Sequence, residues 1–346
     1  MVVIPKSSDE GRMPNSGVVA LGIDIGSRNT KLGLVDQTGT VSSFRSFPTQ
    51  AKGDDPQPFL LHLSDQLYQV LASATGEVIG IGICAHGYID EGRHGPIICE
   101  GIPAIRGFDL SGWASGIFDL PVRVTNDLAA RAMAEYTFGT GRGTHRFMAV
   151  DVGTGIGAGV VVDGKPLSFV GGTAGDTGRI ILDPAGPQCI YGVHGSAEAL
   201  CGTARIEFLA EGRYGRFVPA FEVIRAARKG SDPIAIEIIQ RIGDYLGWTI
   251  ASLCAIFLPE RVALTGGTAE AGEVLLQACR RKFVEMVGDY QRKLVELSEG
   301  YYQGAKIVLS HFGGETGVVG AVVEVFQSLG LPLNPDDLSV ENEGEQ

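Results

Sequence analysis

Two short stretches of the sequence combine an acid, a glycine and a hydroxyl side chain in the same order. Residues 24–27 read DIGS and residues 151–154 read DVGT, and a Val-Asp pair follows each, at 35–36 and 162–163. The second set lies 127 positions after the first (151 minus 24, 162 minus 35). Glycine lets a backbone approach phosphate closely, hydroxyls donate hydrogen bonds to it, and carboxylates hold Mg²⁺. The pattern therefore predicts two copies of one phosphate-binding unit.

The second copy also satisfies a dinucleotide-binding fingerprint, G-x-G-x-x-A, from Gly153 to Ala158. That fingerprint must open a helix, whereas residues 160–165 read VVVDGK and predict a strand that runs into a turn. One such loop by itself favours a tight hairpin. Two copies favour hairpins that grip a nucleoside triphosphate from both sides. The predicted nucleotide contacts in these hairpins are Gly26, Ser27, Arg28, Asn29, Thr30, Gly153, Thr154 and Gly155.

The acid before each hairpin is the predicted metal-binding residue. We expect Asp24, or its counterpart Asp151, to hold Mg²⁺ through water, because this ion gives up its hydration shell reluctantly. Arg28 could donate a charged hydrogen bond to phosphate or could be a solvent-facing turn residue, and the sequence leaves both open. We expect Lys31 to be a charge at a strand edge and not a ligand.

Asn126 and Asp127 stand where a short apolar stretch ends and a helical pattern begins. Either residue would make a good helix N-cap, which is the structural alternative for this pair. The carboxyl end of a strand is also where α/β folds place ligands, and a carboxylate near a helix N-terminus stays ionised. We therefore predict that Asp127 is the general base that takes the proton of a substrate hydroxyl, with Asn126 orienting the substrate.

The elements that must position these residues alternate between strands and helices. The predicted strands are 18–26, 30–41 with a turn at 37–39, 78–90, 120–127, a second hairpin within 148–167, 260–267 and 306–310. The predicted helices are 56–76, 128–139, about 196–212, 232–257, about 269–290 and 315–329, and residues 171–195 are predicted to be rich in loops. Strand groups followed by helices in both halves predict two α/β domains with a cleft between them.

We predict four segments along the chain. Residues 1–17 form a flexible leader, and residues 331–346 form an acidic tail. A smaller N-terminal α/β domain takes residues 18–126 together with 314–330. A larger C-terminal α/β domain takes residues 127–313.

Composition narrows the classes of function. The chain has 346 residues, enough for two domains, and a formal net charge of −12 with no stretch that concentrates Lys and Arg. We therefore expect neither nucleic acid nor a membrane as a partner. No run approaches the ~18 apolar residues of a membrane span. The six cysteines form no C-x-x-C pair, which fits a reduced, cytoplasmic compartment.

Several motifs, in this order, resemble the ROK family (repressor, ORF, kinase) of the actin/hexokinase/Hsp70 superfamily. They are DIGSRNTKLGLVD (24–36), VTND (124–127), DVGTGIGAGVVVDG (151–164), GDTGR (175–179) with CIYGVHGSAE (189–198), and ALTGGTAEAG (263–272). The resemblance covers about residues 18–329. It implies a duplicated two-domain actin-like ATPase (ribonuclease H-like) fold with an interdomain cleft. In that cleft ROK kinases phosphorylate sugars with ATP and Mg²⁺, commonly as dimers.

The resemblance also marks a sugar site and a zinc site. The family motif Glu-x-Gly-His, whose Glu and His bind sugar hydroxyls, corresponds to Asp176 and Arg179. In the family this His also binds a structural zinc with three Cys, which correspond by position to Cys189, Tyr191 and Ser196. Because arginine cannot ligate a metal and one cysteine cannot hold a tetrahedral zinc, we predict no zinc. Packing or ion pairs of Arg179 must then hold the loop.

Of two further positions in the implied sugar site, one has the family residue and the other does not. Glu198 keeps the second sugar-binding carboxylate, although an acid in a first helical turn is also common. With Asp176, it is an expected ion-pair partner of Arg179. Gly101 stands where the family has a sugar-binding Asn. A site that loses an amide, shortens a carboxylate and gains a fixed cation should accept a modified sugar, an amino sugar or a cyclitol rather than glucose.

Glycines after two later strands complete the implied nucleotide site. Gly266 and Gly267 resemble the family's backbone wall beside the adenosine, and a strand-to-helix turn is the alternative. Gly314 resembles the family's closing loop, for which a plain loop before a helix is nearly as good an explanation.

The leading prediction is an ATP-dependent kinase of a small-molecule polyol, forming a homodimer and using ATP and Mg²⁺. Glucose is the alternative substrate, and a non-catalytic sugar-binding or sensing protein is the alternative function. ROK repressors carry an N-terminal helix-turn-helix, whereas about seventeen polar residues precede the first predicted strand here. Asp127 also favours chemistry, so we expect the kinase.

Overall fold

The computed structural model of the protein describes residues 17–51 and 53–334. The predicted leader lies outside this part of the chain except for Gly17, and the predicted tail lies outside it beyond Asn334. In the described part, strands and helices alternate as the sequence predicts. None of the helices in this part is long and apolar enough to cross a membrane.

The first sheet contains the first predicted hairpin, and its strands lie in the order β3-β2-β1-β4-β7. These strands are β1 (Val19–Ile25), β2 (Asn29–Asp36), β3 (Val41–Pro48), β4 (Val78–Ala85) and β7 (Val122–Asn126). Strand β1 is antiparallel to β2 and parallel to β4, which is parallel to β7. The carboxyl ends of β1, β4 and β7 therefore meet at one edge of the sheet.

The second sheet repeats this arrangement, in the order β10-β9-β8-β11-β12. Its strands are β8 (Arg146–Val152), β9 (Ile156–Val162), β10 (Lys165–Pro166), β11 (Arg261–Thr265) and β12 (Lys306–Leu309). Strand β8 is antiparallel to β9 and parallel to β11, which is parallel to β12. The predicted duplication is confirmed, because each strand of the first sheet has a counterpart with the same neighbours. A short separate pair is formed by β5 (Tyr88–Ile89) and β6 (Pro96–Ile98).

Helices cover both sheets and mostly coincide with the predictions. They are α1 (Gln57–Leu71), α2 (Leu110–Phe118), α3 (Asp127–Phe138), α4 (Ala197–Cys201), α5 (Thr203–Tyr214), α6 (Ala220–Arg228), α7 (Pro233–Phe257), α8 (Glu273–Leu297) and α9 (Thr316–Ser328). The prediction for 196–212 was wrong in one respect, because Gly202 separates two helices. Helix α8 runs seven residues beyond the predicted end at 290, with a kink at Gly288 (φ 50°).

The sequence analysis did not predict α2 and α6. Helix α2 contains two glycines and two serines, which are weak helix formers. It is stabilised instead by the Asp109 side chain, which accepts a hydrogen bond from Gly112 N at 2.6 Å, and by buried Leu110 and Phe118.

Helices α3 and α9 form the contact between the two sheets. Helix α9 packs on β1 and β4 of the first sheet, α3 packs on β8 and β9 of the second, and the two helices pack on each other. Their buried side chains form a separate core cluster that includes Met133, Val319 and Phe326. The approach is close, because a Cβ at Gly320 would overlap the Ala130 carbonyl oxygen. Domain limits near residues 127 and 314 would produce this packing, and they stay predictions.

Candidate active site

The candidate base begins helix α3 and is held by its neighbour. The Asn126 side-chain oxygen accepts hydrogen bonds from Leu128 N (2.9 Å) and Ala129 N (3.1 Å), so Asn126 is the N-cap. Its amide donates to Gly87 O (2.8 Å) and to Asp127 Oδ1 (3.1 Å). These four bonds use the whole hydrogen-bonding capacity of the amide. Asn126 therefore positions Asp127, and its predicted role in binding substrate would need these bonds to rearrange.

The two carboxylate oxygens of Asp127 have different surroundings. Oδ1 accepts hydrogen bonds from Leu128 N (3.0 Å) and from the Asn126 amide. Oδ2 faces the imidazole of His86, whose Nδ1 is 3.5 Å away. Burial alone would raise the pKa of Asp127, but the contact with His86 and the charge of Arg131 outweigh it and lower this pKa. The carboxylate is therefore ionised at neutral pH, as a general base must be, with Oδ2 on the side of His86.

His86 was missed by the sequence analysis. It follows β4, whose last residue, Ala85, pairs with Asn126 in the parallel neighbour β7. The rule that ligands bind at the carboxyl ends of strands, which selected Asp127, would also have selected His86. A Cβ on Gly101 would lie 3.5 Å from His86 Cδ2 and 3.0 Å from Ser27 Cβ. The imidazole thus lies beside both a predicted substrate contact and the first glycine hairpin.

Both predicted hairpins are present. Ile25 pairs with Thr30 in the first, and Gly26 N donates to Asn29 O at 3.2 Å. The intervening residues 27–29 are exposed, so Ser27, Arg28 and Asn29 can be reached by a ligand. Thr30 is buried, and its hydroxyl is hydrogen-bonded to that of Thr49 at 3.0 Å. The Thr30 hydroxyl therefore fastens the hairpin to Thr49, the residue after β3, and this bond competes with its predicted role as a nucleotide contact.

The second hairpin lies next to the other parts of the candidate site. Val152 pairs with Ile156, Gly153 N donates to Gly155 O at 2.9 Å, and Thr154 is exposed between them. A Cβ on Gly155 would meet the Glu198 carboxylate. The structure therefore brings the second hairpin together with the implied sugar site.

Of the three later glycines, Gly266 lies against the second hairpin. Gly266 follows β11 at φ 88°, where a side chain would be strained and would meet the Val152 backbone. Gly267 and Gly314 are exposed, with open space where a Cβ would be. Their predicted roles beside the nucleotide stay predictions.

Arg131 links the acids of the two hairpins and was also missed by the sequence analysis. It lies one helical turn after Asp127 on α3, with its side chain 14% exposed. Its NH2 group is 3.3 Å from Asp24 Oδ2, and its Nε is 3.5 Å from Asp151 Oδ1. Lys31 Nζ is also 3.9 Å from Asp24 Oδ2, so Lys31 pairs with this acid. A guanidinium therefore lies between an acid of the first sheet and its counterpart in the second.

The two hairpin acids differ in how much of each carboxylate is free. Asp24 is buried and paired with two cations, and its Oδ1 accepts from the Cys84 thiol at 3.5 Å. Asp151 is 25% exposed, and its Oδ1 is buried with no hydrogen-bond partner. Burial raises the pKa of Asp151 despite the charge of Arg131. Asp151 is thus the more exposed of the two acids and the easier one for a cation to reach, and Asp24 stays the predicted one.

Arg179 holds the predicted sugar-site loop by the ion pairs that the sequence predicts. Its NH1 group donates to Glu198 Oε1 at 2.6 Å, and its Nε donates to Asp176 Oδ2 at 3.2 Å. The guanidinium also lies over the Tyr191 ring, 4.3 Å from its centroid, and 3.4 Å from Cys189 Sγ. These residues form what we call the Arg179 clasp: Arg179, Asp176, Cys189, Tyr191 and Glu198.

Three residues of the clasp, Arg179, Cys189 and Tyr191, occupy positions where the family resemblance implies zinc ligands. Ser196, the fourth position, caps α4 by accepting from Ala199 N at 3.2 Å. The cation and the aromatic ring in these positions do not fit a zinc ion, which needs thiolate, imidazole or carboxylate ligands. Across residues 17–51 and 53–334, no group of three or more His, Cys, Asp or Glu is arranged to hold a metal. The absence of zinc stays a prediction.

The duplicated sheets, the paired hairpins and the carboxylate at the start of α3 define an actin-like ATPase fold. A model of the ROK family matches residues 20–327, and the chain belongs to the ROK family.

Individual relatives agree with this family. A glucokinase of Halalkalibacterium halodurans is 28% identical over 317 residues, covering 87% of this chain and 92% of the relative. A crystal structure of a ROK family glucokinase from Streptomyces griseus with glucose and AMPPNP is 26% identical, with a TM-score of 0.72 over 88% of this chain and 97% of that one. The Escherichia coli regulator NagC is 27% identical over 75% of this chain and 66% of its own length.

Proposed function

We infer that this chain is an ATP-dependent carbohydrate kinase, and we propose that its substrate is a modified sugar, an amino sugar or a cyclitol rather than glucose. The observation that carries the activity is the Asp127 carboxylate at the start of α3, which faces His86. This carboxylate is oriented by Asn126, and the start of α3 lies against the second hairpin, where Leu128 packs on Gly157. The glucokinases among the relatives belong to the same class of enzyme.

The proposed reaction needs one base and two phosphate-binding turns. The substrate hydroxyl gives its proton to Asp127 Oδ2 while its oxygen bonds to the γ-phosphorus, the bond to the β–γ bridging oxygen breaks, and ADP leaves. Backbone N–H groups of 27–29 and 154–155, with the hydroxyls of Ser27 and Thr154, would hold the phosphates. Gly266, Gly267 and Gly314 would border the nucleotide.

A divalent cation, which we propose to be Mg²⁺, would be held through water by Asp151 and Asp24. The donor set fits, because both residues offer carboxylate oxygens and Asp151 Oδ1 has no hydrogen-bond partner. Two carboxylates leave most coordination positions to water and phosphate, as Mg²⁺ prefers. When bound, the cation neutralises the charge that develops on the transferred phosphoryl group.

The Arg179 clasp supports the proposal of a substrate other than glucose. The clasp engages both carboxylates that would otherwise be free for sugar hydroxyls, Asp176 and Glu198. Gly101 offers no side chain, and the imidazole of His86 lies beside it. A substrate must therefore match a guanidinium and an imidazole in addition to carboxylates, and buried sites discriminate strongly by such donor changes.

Two further expectations remain part of the proposal. We propose a homodimer, and the partly exposed apolar side chains of α7 and α8, including Met286 and Tyr290, would give it a contact surface. Light scattering at several protein concentrations tests this. We also propose a cytoplasmic location, which fractionation tests.

An assay of ADP release over a panel of sugars, amino sugars and cyclitols tests the activity. We expect turnover of one polyol, with kcat falling by about 10²–10⁴-fold in Asp127→Asn, because general-base catalysis contributes about that much. Asp163→Asn is the matched control, since Asp163 is an exposed acid at the end of β9 remote from the glycine turn.

The match with NagC favours one competing function, a sugar-sensing protein without catalysis. Tight binding of a sugar in calorimetry with no turnover of any polyol would support the sensor and reject the kinase. An Asp127→Asn variant as active as the wild type would reject the assigned base while leaving the kinase activity in place.

A further inference from the structure

His86 is the residue of the site that the proposed reaction has not used. Its side chain is 54% exposed, and its Nδ1 is 3.5 Å from Asp127 Oδ2. The other oxygen of Asp127 is occupied by Asn126 and Leu128. The imidazole therefore faces the one carboxylate oxygen that could accept a proton, and its exposed side reaches solvent.

The charges around His86 come from three elements. Asp127 of α3, Asp151 of β8 and Glu198 of α4 all act on the ring, and the cation Arg131 is paired with Asp24 and Asp151. Its uncharged neighbours are Ser27 and Gly101. The contact with Asp127 raises the pKa of His86 above its usual 6.5, although burial lowers it. The ring thus changes charge close to physiological pH.

We propose that His86 is a proton carrier that removes the transferred proton from Asp127 during each turnover. The transfer of a phosphoryl group from ATP to an alcohol releases the hydroxyl proton. That proton passes from the substrate oxygen to Asp127 Oδ2, then to His86 Nδ1, and the imidazolium finally gives a proton to water. Asp127 and His86 end in their starting states, so no other reactant is needed. The inference rests on the proposed function, because it takes Asp127 as the base.

The charge of His86 then controls the base. Neutral His86 can accept the proton that Asp127 has taken. Protonated His86 cannot, and its positive charge holds Asp127 Oδ2 in an ion pair and makes it a weaker base. Activity should therefore be complete above the pKa of His86 and should fall as pH drops through it, at a pH above 6.5.

The pH profile of kcat in His86→Asn tests this. The Asn amide keeps a donor near the position of Nδ1 but does not titrate in this range. For the wild type we expect an acid limb in the profile. Below the pKa of His86, which lies above 6.5, kcat should fall about tenfold per pH unit. For His86→Asn we expect that limb to disappear between pH 5.5 and 8, with kcat about tenfold lower at pH 8. His145→Asn is the control, because His145 pairs with Asp163 at 3.1 Å on the exposed surface.

The outcomes separate this inference from the proposed function. If the wild type is an active kinase and the acid limb of its kcat profile persists unchanged in His86→Asn, the proton-carrier role of His86 is overturned. The proposed function is then left intact. NMR titration of the His86 ring gives a second measurement that needs no substrate, with the resonance assigned by its loss in His86→Asn. We expect a pKa above 6.5 that falls in Asp127→Asn. A value that does not respond to Asp127→Asn overturns the inference even if no polyol is turned over.

Discussion

Replacing Arg131 with methionine tests whether its guanidinium holds the acids of the two hairpins, Asp24 and Asp151. Methionine has similar length and no charge, so the variant removes the guanidinium and keeps most of the packing of α3. Asp24 Oδ2 and Asp151 Oδ1 now lie 3.3 and 3.5 Å from nitrogens of the Arg131 guanidinium. In the variant these two acids would face each other without a cation between them. We expect a large loss of stability, because buried charges without partners are costly.

The size of the effect follows from burial. Removing one partner of a buried ion pair costs about 3–5 kcal/mol. Asp24 is 2% exposed but would keep Lys31 at 3.9 Å, and Asp151 is 25% exposed and can be partly solvated. Both facts place the expected loss of unfolding free energy at the lower end of this range, about 3 kcal/mol. That is a large share of the ~5–15 kcal/mol that stabilises an ordinary domain.

Urea denaturation measures this loss as the change in free energy of unfolding. Arg281→Met is the matched control, because Arg281 is 60% exposed where it pairs with Asp244, and such pairs contribute at most about 1 kcal/mol. Adding Asp24→Asn to Arg131→Met should recover part of the loss, since it removes one of the uncompensated charges. If Arg131→Met costs no more than Arg281→Met, the guanidinium does not hold the two acids, and the reasoning is refuted.

Two other substitutions test the packing and the sugar site. Gly320→Ala should cost about 1–3 kcal/mol in urea denaturation, because the new methyl would overlap the Ala130 carbonyl oxygen. Gly116→Ala should be neutral or stabilising, because Gly116 is an exposed helical position of α2 with open space around it. Equal midpoints for the two variants would contradict the close approach of α3 and α9. Arg179→Lys should raise KM for the polyol about tenfold in steady-state kinetics, with a smaller change in kcat, because lysine lacks the planar group that binds both Asp176 and Glu198. An unchanged KM would show that the clasp does not shape the site.

The sequence was sufficient for the hairpins because their signals are local. Glycines between alternating apolar residues mark a strand, a turn and a strand, and the repeat at 127 positions marks duplication. The ion pairs of Arg179 were also predictable, since Asp176 lies three positions away and Glu198 in the next ordered helix. Helix α2 could not be found in this way, because its two glycines oppose a helix and packing against β7 overrides that preference.

The contacts that the sequence did not predict join residues from distant parts of the chain. Asp24 and Arg131 are 107 positions apart, and they meet because α3 lies between the two sheets. His86 and Asp127 meet because β4 and β7 are parallel neighbours. Half of each signal was visible, since Arg131 is four positions after Asp127 on one helix face and His86 directly follows a buried strand. The partners themselves depend on topology, which single-sequence patterns do not fix.

The acids of the site are held by cations from the chain itself, and these cations differ in whether they can lose charge. Arg131 lies between Asp24 and Asp151, Arg179 binds Glu198, and a guanidinium keeps its proton at every physiological pH. These contacts therefore keep their geometry as pH changes. Among these four acids of the described site, Asp127 is the one paired with a histidine, and it is the one that gains and loses a proton in each proposed cycle. The titratable cation thus stands beside the proposed base, and the permanent cations stand beside acids for which no proton transfer is proposed.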